Sequence, residues 1–263
     1  MATRNIIHKL TKSEAARIGG LARQKMYGDL GTPEGRARGG RNSQLTHRRL
    51  HTGFKQLRKV RFPKASNLLA EFIGIVMGDG HVGRYQISIC TNSITDSEHA
   101  THTYKLAKRL FDVPISISKK KESNALSIVI SSREVSRFLQ QQGIPEGNKI
   151  EKGIMVPAWV SRDRNYSHCL ARGLFDADGC VFVDTHRIRG KIYKNLGIAF
   201  ANQEPTLLKF FYKNLCAIGL SPTQTSRFRV FLRRRRDIRK YFVIVGTSNS
   251  KHWSRYQEFK KND

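Results

Sequence analysis

Two apolar segments of this chain each run into an Asp-Gly pair and then into a strand, and that doubled junction restricts the fold more than any other feature. In NLLAEFIGIVMGDG the apolar run ends at Asp79-Gly80; in CLARGLFDADG it ends at Asp178-Gly179 and passes into the β-branched, aromatic run CVFVD. One carboxylate at the end of an apolar helix could be a local capping device. Two, each followed by the same succession of patterns, mark an internal duplication.

The succession can be followed piece by piece. After the first junction RYQISICTN alternates as a strand, and SEHATHTYKLAKRLF puts Ala100, Tyr104, Ala107 and Leu110 on one helical face. PISISKKK and ALSIVIS read as paired strands, and REVSRFLQQQG as a short helix stopped at Gly143. After the second junction come the strands CVFVDTHRI and NLGIAFANQ, then the helix PTLLKFFYKNLCAIG with Pro205 in its first turn and Gly219 at its end. RFRVFL reads as a strand, and RRDIRKYFVIVG as a helix closed by Gly246. CTNS (Cys90 to Ser93) pairs with FANQ (Phe200 to Gln203), REVSRF with RDIRKY, and GNK ending at Lys149 with NSK ending at Lys251. The expected fold class is α+β: two pseudo-symmetric αββαββα units over 65–155 and 156–263.

Charge then narrows the partner. Lys and Arg total 48 against 20 Asp and Glu, a formal net charge of +28. Such an excess opposes compaction unless a polyanion is the partner, so nucleic acid leads. No apolar run approaches the ~18 residues a membrane span needs. Residues 1–64 carry 16 Lys/Arg against 3 acids and hold two similar pieces, ARIGGLARQ and ARGGRNSQ. With few large apolar residues, this segment is expected to be a DNA-binding arm that orders on a polyanion. Four scattered cysteines without a C-x-x-C pair suggest a reducing compartment. In a prokaryote that compartment is the cytoplasm with its nucleoid; an organelle is the alternative.

A duplicated protein with pseudo-two-fold symmetry matches duplex DNA, whose strands are antiparallel. If the two apolar helices pack along that dyad, with Gly74 and Gly173 allowing close approach, Asp79 and Asp178 meet at the negative ends of both helices. Mutual repulsion then demands a cation, and hard oxygen ligands suit Mg²⁺, which can serve phosphodiester hydrolysis.

These residues also carry a family resemblance. FIGIVMGDG (Phe72 to Gly80) and ARGLFDADG (Ala171 to Gly179) resemble the two motifs of single-chain LAGLIDADG homing endonucleases. The second matches at Gly173, Leu174, Asp176, Ala177, Asp178 and Gly179, whereas Met77 stands in place of the first motif's first Asp. The resemblance implies saddle-shaped sheets in the DNA major groove, motif helices at the interface, and a monomer cutting both strands of a long site. It implies Mg²⁺ held by Asp79 and Asp178 with the carbonyls of Gly78 and Ala177, and an interface role for Asp176. A polar residue after each second strand falls at Asn92/Ser93 and at Gln203. One lysine per active site falls at Lys149 and Lys251, with Lys120 and Lys152 as competitors.

For DNA contacts, Arg227 and Arg229 alternate with Phe228 and Val230 along a strand, and Arg233 follows. Arg187, Arg189 and Lys191 surround a hairpin; Arg84, Gln86, Lys119 and Lys121 belong to the first unit's sheet. Inteins of this family need splicing residues at both ends; with Met1-Ala2-Thr3 and Lys261-Asn262-Asp263, the expectation is an intron-encoded or freestanding enzyme. Two rivals use the same scaffold. An RNA-binding intron maturase, with its own intron RNA as partner, needs the basic sheets without the carboxylates. A DNA-binding regulator with a degenerate core would bind and not cut. Retention of both acids favours the nuclease.

Overall fold

The computed structural model describes residues 11–28, 31–50, 60–119 and 123–261. The chain divides into two compact units, Met1–Arg58 and Lys59–Asp263.

In the first unit, α1 (Lys12–Tyr27) and α2 (Pro33–Leu50) are helices that bury no large side chain. ARIGGLARQ lies in α1 and ARGGRNSQ in α2. The described part of this segment is helical. The reason is local. Thr11 and Glu14 form a reciprocal capping box at the start of α1, and the Thr32 hydroxyl accepts from the Gly35 N–H at the start of α2. Ala, Arg, Gln and Leu between the glycines favour helix.

The second unit contains the duplication. Its first half runs α3 (Asn67–Asp79), β1 (Gly80–Val82), β2 (Ile87–Asn92), α4 (Ser97–Leu110), β3 (Ile115–Lys119), β4 (Ala125–Ile130), α5 (Arg133–Gln141) and a single turn, α6 (Lys149–Lys152). After α7 (Ala158–Arg162) the second half runs α8 (Arg164–Asp178), β5 (Gly179–Ile188), β6 (Lys191–Ala201), α9 (Pro205–Ala217), β7 (Thr223–Ser226), β8 (Arg229–Leu232), α10 (Arg235–Ile244) and α11 (Ser250–Lys261). Each half holds the αββαββα order, and each forms a four-stranded antiparallel sheet with the same topology, β1-β2-β4-β3 and β5-β6-β8-β7.

Each sheet has one buried face. Val82, Ile87, Ile89, Ile128 and Ile130 point inward in the first; Val181, Ile198, Phe200, Val230 and Leu232 do so in the second. These residues join α3 and α8 in one apolar core. Ser66 caps α3 through the Leu69 N–H, and Asp163 caps α8 through the N–H groups of Asn165 and Tyr166. The two helices meet where both lack a side chain. A Cβ on Gly74 would lie 2.4 Å from the Leu170 carbonyl oxygen, and one on Gly173 would lie 2.2 Å from that of Glu71. Backbone is in contact with backbone there.

The strand expected over RFRVFL starts two residues later than its pattern suggests. Arg227 and Phe228 form the β7–β8 turn, and β8 begins only at Arg229. Gly143, Gly219 and Gly246 adopt φ of 89°, 71° and 70°, as expected of residues that end helices.

Candidate active site

Close packing at Gly74 and Gly173 brings the C-terminal ends of α3 and α8 together. A Cβ on Gly78 would be 2.5 Å from the Ala177 Cβ and 3.0 Å from Asp178 Oδ2. The two acids are therefore half-buried neighbours at two negative helix ends. Burial first, and then the Asp178 carboxylate, push Asp79 up to about 7. Burial also raises Asp178, against the favourable contacts of Asn202 and Lys149. Two carboxylates in this state are a site waiting for positive charge.

Part of that charge comes from Lys149. Its ammonium donates to the carbonyls of Val76, Met77 and Gly78 at 3.3, 2.9 and 2.6 Å, covering the negative end of α3. Burial lowers its pKa, opposed by Asp178 and Asp79. Gly78, Asp178, Lys149, Asn202 and Gln203 share a cleft of 460 Å³. Lys152, the competitor, donates instead to the Glu146 carbonyl at 2.7 Å; Lys120 lies outside the described residues.

The amide reaching the acid is not the one the motif pairing suggested. Asn202 Nδ2 donates to Asp178 Oδ2 at 2.8 Å, while Gln203 sits on the cleft rim. Asn202 is held for this task because its Oδ1 accepts from the Glu204 N–H at 2.7 Å, a turn that fixes the side chain as it leaves β6. FANQ showed both amides, and nothing in its spacing separated them. In the first half Asn92 makes the same local turn, accepting from Ile94 and Thr95.

Lys251 acts on Asp79 and helps to lower it, while its ammonium is paired with another acid. It meets Asp96 Oδ1 at 2.6 Å, and Asn249 Nδ2 reaches the same oxygen at 2.9 Å. Burial opposes ionisation of Asp96, yet bonds from Lys251, Thr95 and Asn249 lower it to about 2. Neither Asp96 nor Asn249 was singled out in the sequence, since their meeting spans most of the duplication. Asp176 is buried and accepts from the Thr247 hydroxyl and from the Ser248 N–H at 2.8 Å, tying the segment before α11 to the motif helix. That is a structural role, as expected; Met77, its counterpart, is packed in the core.

The donor set of Asp79, Asp178 and the carbonyls of Gly78 and Ala177 is all oxygen, and one of those carbonyls already accepts an ammonium. It fits a hard divalent cation. Among the described residues no group of three His, Cys, Asp or Glu side chains is placed to hold a metal. Two carboxylates therefore leave ligand positions for backbone, water and a phosphate.

The basic residues separate by strand parity. Arg229, Arg233 and Lys191 lie on the open face of the second sheet with Phe182, Tyr193 and Phe231. The Arg233 guanidinium stands 4.8 Å from the Phe231 ring centroid and 5.8 Å from that of Phe182. Arg189 (φ 48°) is in the hairpin turn, and exposed Arg227 in the β7–β8 turn. Arg187 points the other way, in step with Val181, and Lys119 shares the parity of Ile115 and Ile117 on the core side of its sheet. Both are exposed beyond the core's edge, and neither is on the open face. Arg84 and Gln86 are exposed in the β1–β2 turn; Lys121 lies outside the described residues.

No family model matches the chain. Among solved structures, the meganuclease I-SmaMI bound to uncleaveable DNA aligns at TM-score 0.50 and 14% identity, over 74% of this chain and 90% of that one. This is the two-motif LAGLIDADG fold. I-DmoI in complex with DNA and Mn aligns at TM-score 0.46 and 14% identity, over 68% of this chain and 96% of that one. The N-terminal LAGLIDADG domain of WhiA aligns at 0.45 and 17%, over 71% and 87%. In sequence, the tRNA-splicing ligase RtcB of Methanopyrus kandleri is 28% identical over 138 residues, and that of Pyrococcus abyssi 30% over 128. The matches span 45% and 43% of this chain but only 13% and 14% of those proteins. The part of the chain that carries the LAGLIDADG fold is the duplicated unit. Among the described residues no helix is long and apolar enough to cross a membrane.

Proposed function

We propose that this chain is a site-specific DNA endonuclease, dependent on a divalent cation such as Mg²⁺, that breaks both strands of a long target as a monomer. Its gene would be intron-borne or freestanding. The observation that carries the reading is the pair of desolvated carboxylates, Asp79 and Asp178, at the tips of two helices in backbone contact. A pair of acids destabilised by burial, and at Asp79 by its neighbour's charge as well, serves no packing purpose.

In this reading Asp79, Asp178 and the Gly78 and Ala177 carbonyls would hold the cation, beside the Lys149 ammonium. The cation would supply an acidic water and stabilise the leaving oxygen. Asn202 keeps the Asp178 carboxylate oriented, and Lys149 adds positive charge where the phosphate becomes more negative. Arg229, Arg233 and Lys191 would meet the DNA from the open face of the second sheet, and the α1–α2 unit would add salt-sensitive affinity.

The test is cleavage of a plasmid bearing the host locus without the encoding element, in Mg²⁺ at moderate salt, by wild type, Asp79→Asn and Asp178→Asn. Linear product at one position, absent with both variants, supports the reading. Uncut plasmid with tight binding of intron RNA would replace it with the maturase. Tight sequence-specific DNA binding without cleavage would replace it with the regulator.

A further inference from the structure

We propose that Asp96 is a positioning residue that holds Lys251 off the end of α8, making the two halves of the site unequal so that the strand served by the Asp79 half is cut second. This rests on the endonuclease reading above.

The two lysines occupy matching places in the duplication, yet they do different things. Lys149 covers the last carbonyls of α3, with its Nζ 2.6 Å from Gly78 O. The corresponding end of α8 lacks that cover: Asn249 Nδ2 takes the Asp176 carbonyl at 3.2 Å, and Lys251 is drawn to Asp96. Asp96 is buried at the entrance to α4, and Thr95 donates to its second oxygen at 2.6 Å. Both carboxylate oxygens are therefore committed. Its counterpart Glu204, at the entrance to α9, accepts from the Thr206 N–H instead, which leaves Lys149 to the helix end.

The cause is visible in the motifs. Asp176 ties down Thr247 and Ser248, and this delivers Asn249 and Lys251 to Asp96. Met77 at the equivalent place offers no such tie, so the segment carrying Lys149 is free to reach the carbonyls of α3. A lysine neutralised by a carboxylate at hydrogen-bond distance adds little to the stabilisation of charge developing on a phosphate. The Asp178 half thus has a bonded amide and a helix-end lysine, whereas in the Asp79 half the matching lysine is paired with a carboxylate.

The experiment follows both strands of a duplex containing the mapped target, each end-labelled, under single-turnover conditions in Mg²⁺. Wild type is expected to accumulate one nicked intermediate, with one strand cut several-fold faster. Lys149→Met slows the fast strand, which assigns it to the Asp178 half. Asp96→Asn raises the slow-strand rate several-fold toward the fast one, and the gain vanishes in Asp96→Asn/Lys251→Met. Asp96→Ser is a second variant read the same way, with urea unfolding to verify that each is native. A slow strand that is unchanged or slower in both Asp96 variants overturns the proposal. Equal strand rates in wild type also overturn it, leaving the endonuclease reading intact; absence of metal-dependent cleavage of either strand overturns both.

Discussion

Gly173→Ala perturbs the contact on which the whole site depends. Its Cβ would stand 2.2 Å from the Glu71 carbonyl oxygen and 2.9 Å from the Ile75 nitrogen, both backbone atoms of α3. No side chain can turn aside, so the helices must part by roughly 1 Å to restore ordinary contact. Overpacking of a rigid interface costs about 3 kcal/mol at the upper end of its usual range. Alanine returns up to about 1 kcal/mol as the better helix former. The net loss is about 2 kcal/mol, which lowers the urea midpoint by roughly 0.8 M at a typical slope of about 2.5 kcal/mol per M. Parting the helices also separates Gly78 from Ala177, so cleavage should fall further than stability alone explains at temperatures where the variant is folded. Gly19→Ala in α1 is the control, since a Cβ there meets nothing within 4 Å. A Gly173→Ala protein as stable and as active as wild type would refute the reasoning.

Two further outcomes follow from charge. Among the described residues the ring nitrogens of the buried His99 and His252 have no hydrogen-bond partner, and burial depresses them to about 4 and about 3. A depressed pKa gives stability that is complete above the unfolded value, near 6.5, and is lost as pH falls toward the folded value, by about 1.4 kcal/mol per pH unit and residue. Asp79 and Asp176, both raised to about 7, act in the opposite sense over the same range, so the whole-protein curve hides the effect. The difference between wild type and His99→Leu isolates it: urea unfolding at pH 7 and pH 4.5 should show the variant gaining about 2 kcal/mol relative to wild type on acidification. No relative gain would mean that His99 is satisfied in solution. Removing Met1–Arg58 should weaken DNA binding and flatten its dependence on salt, by about 0.9 in log–log slope for each phosphate the arm neutralises. An unchanged slope in a fluorescence titration would show that the arm does not touch the duplex.

Much of this architecture was legible because it is written in local pattern. Period-two alternation in ISIC and period-3.6 spacing in the α4 segment set the elements, and Gly143, Gly219 and Gly246 stopped helices where only a residue tolerant of positive φ is comfortable. The twin Asp-Gly junctions located both acids. Strand parity was less legible at the edges: Arg227 fell in a turn, and Arg187 and Lys119 fell on the core side, because a one-residue change in where a strand starts reverses every side chain.

The sequence by itself determined that the molecule is a duplicated αββαββα protein with an acid at the end of each motif helix, since periodicity and repetition are properties of the chain alone. Only the tertiary structure decided that Asn202 rather than Gln203 reaches Asp178, and that Lys149 covers a helix end while Lys251 is taken by Asp96. Those outcomes depend on which long-range partner offers the nearest unsatisfied carboxylate or carbonyl. A repeated motif fixes the position of a side chain along its element, and the competing hydrogen bonds around it fix where the charge goes.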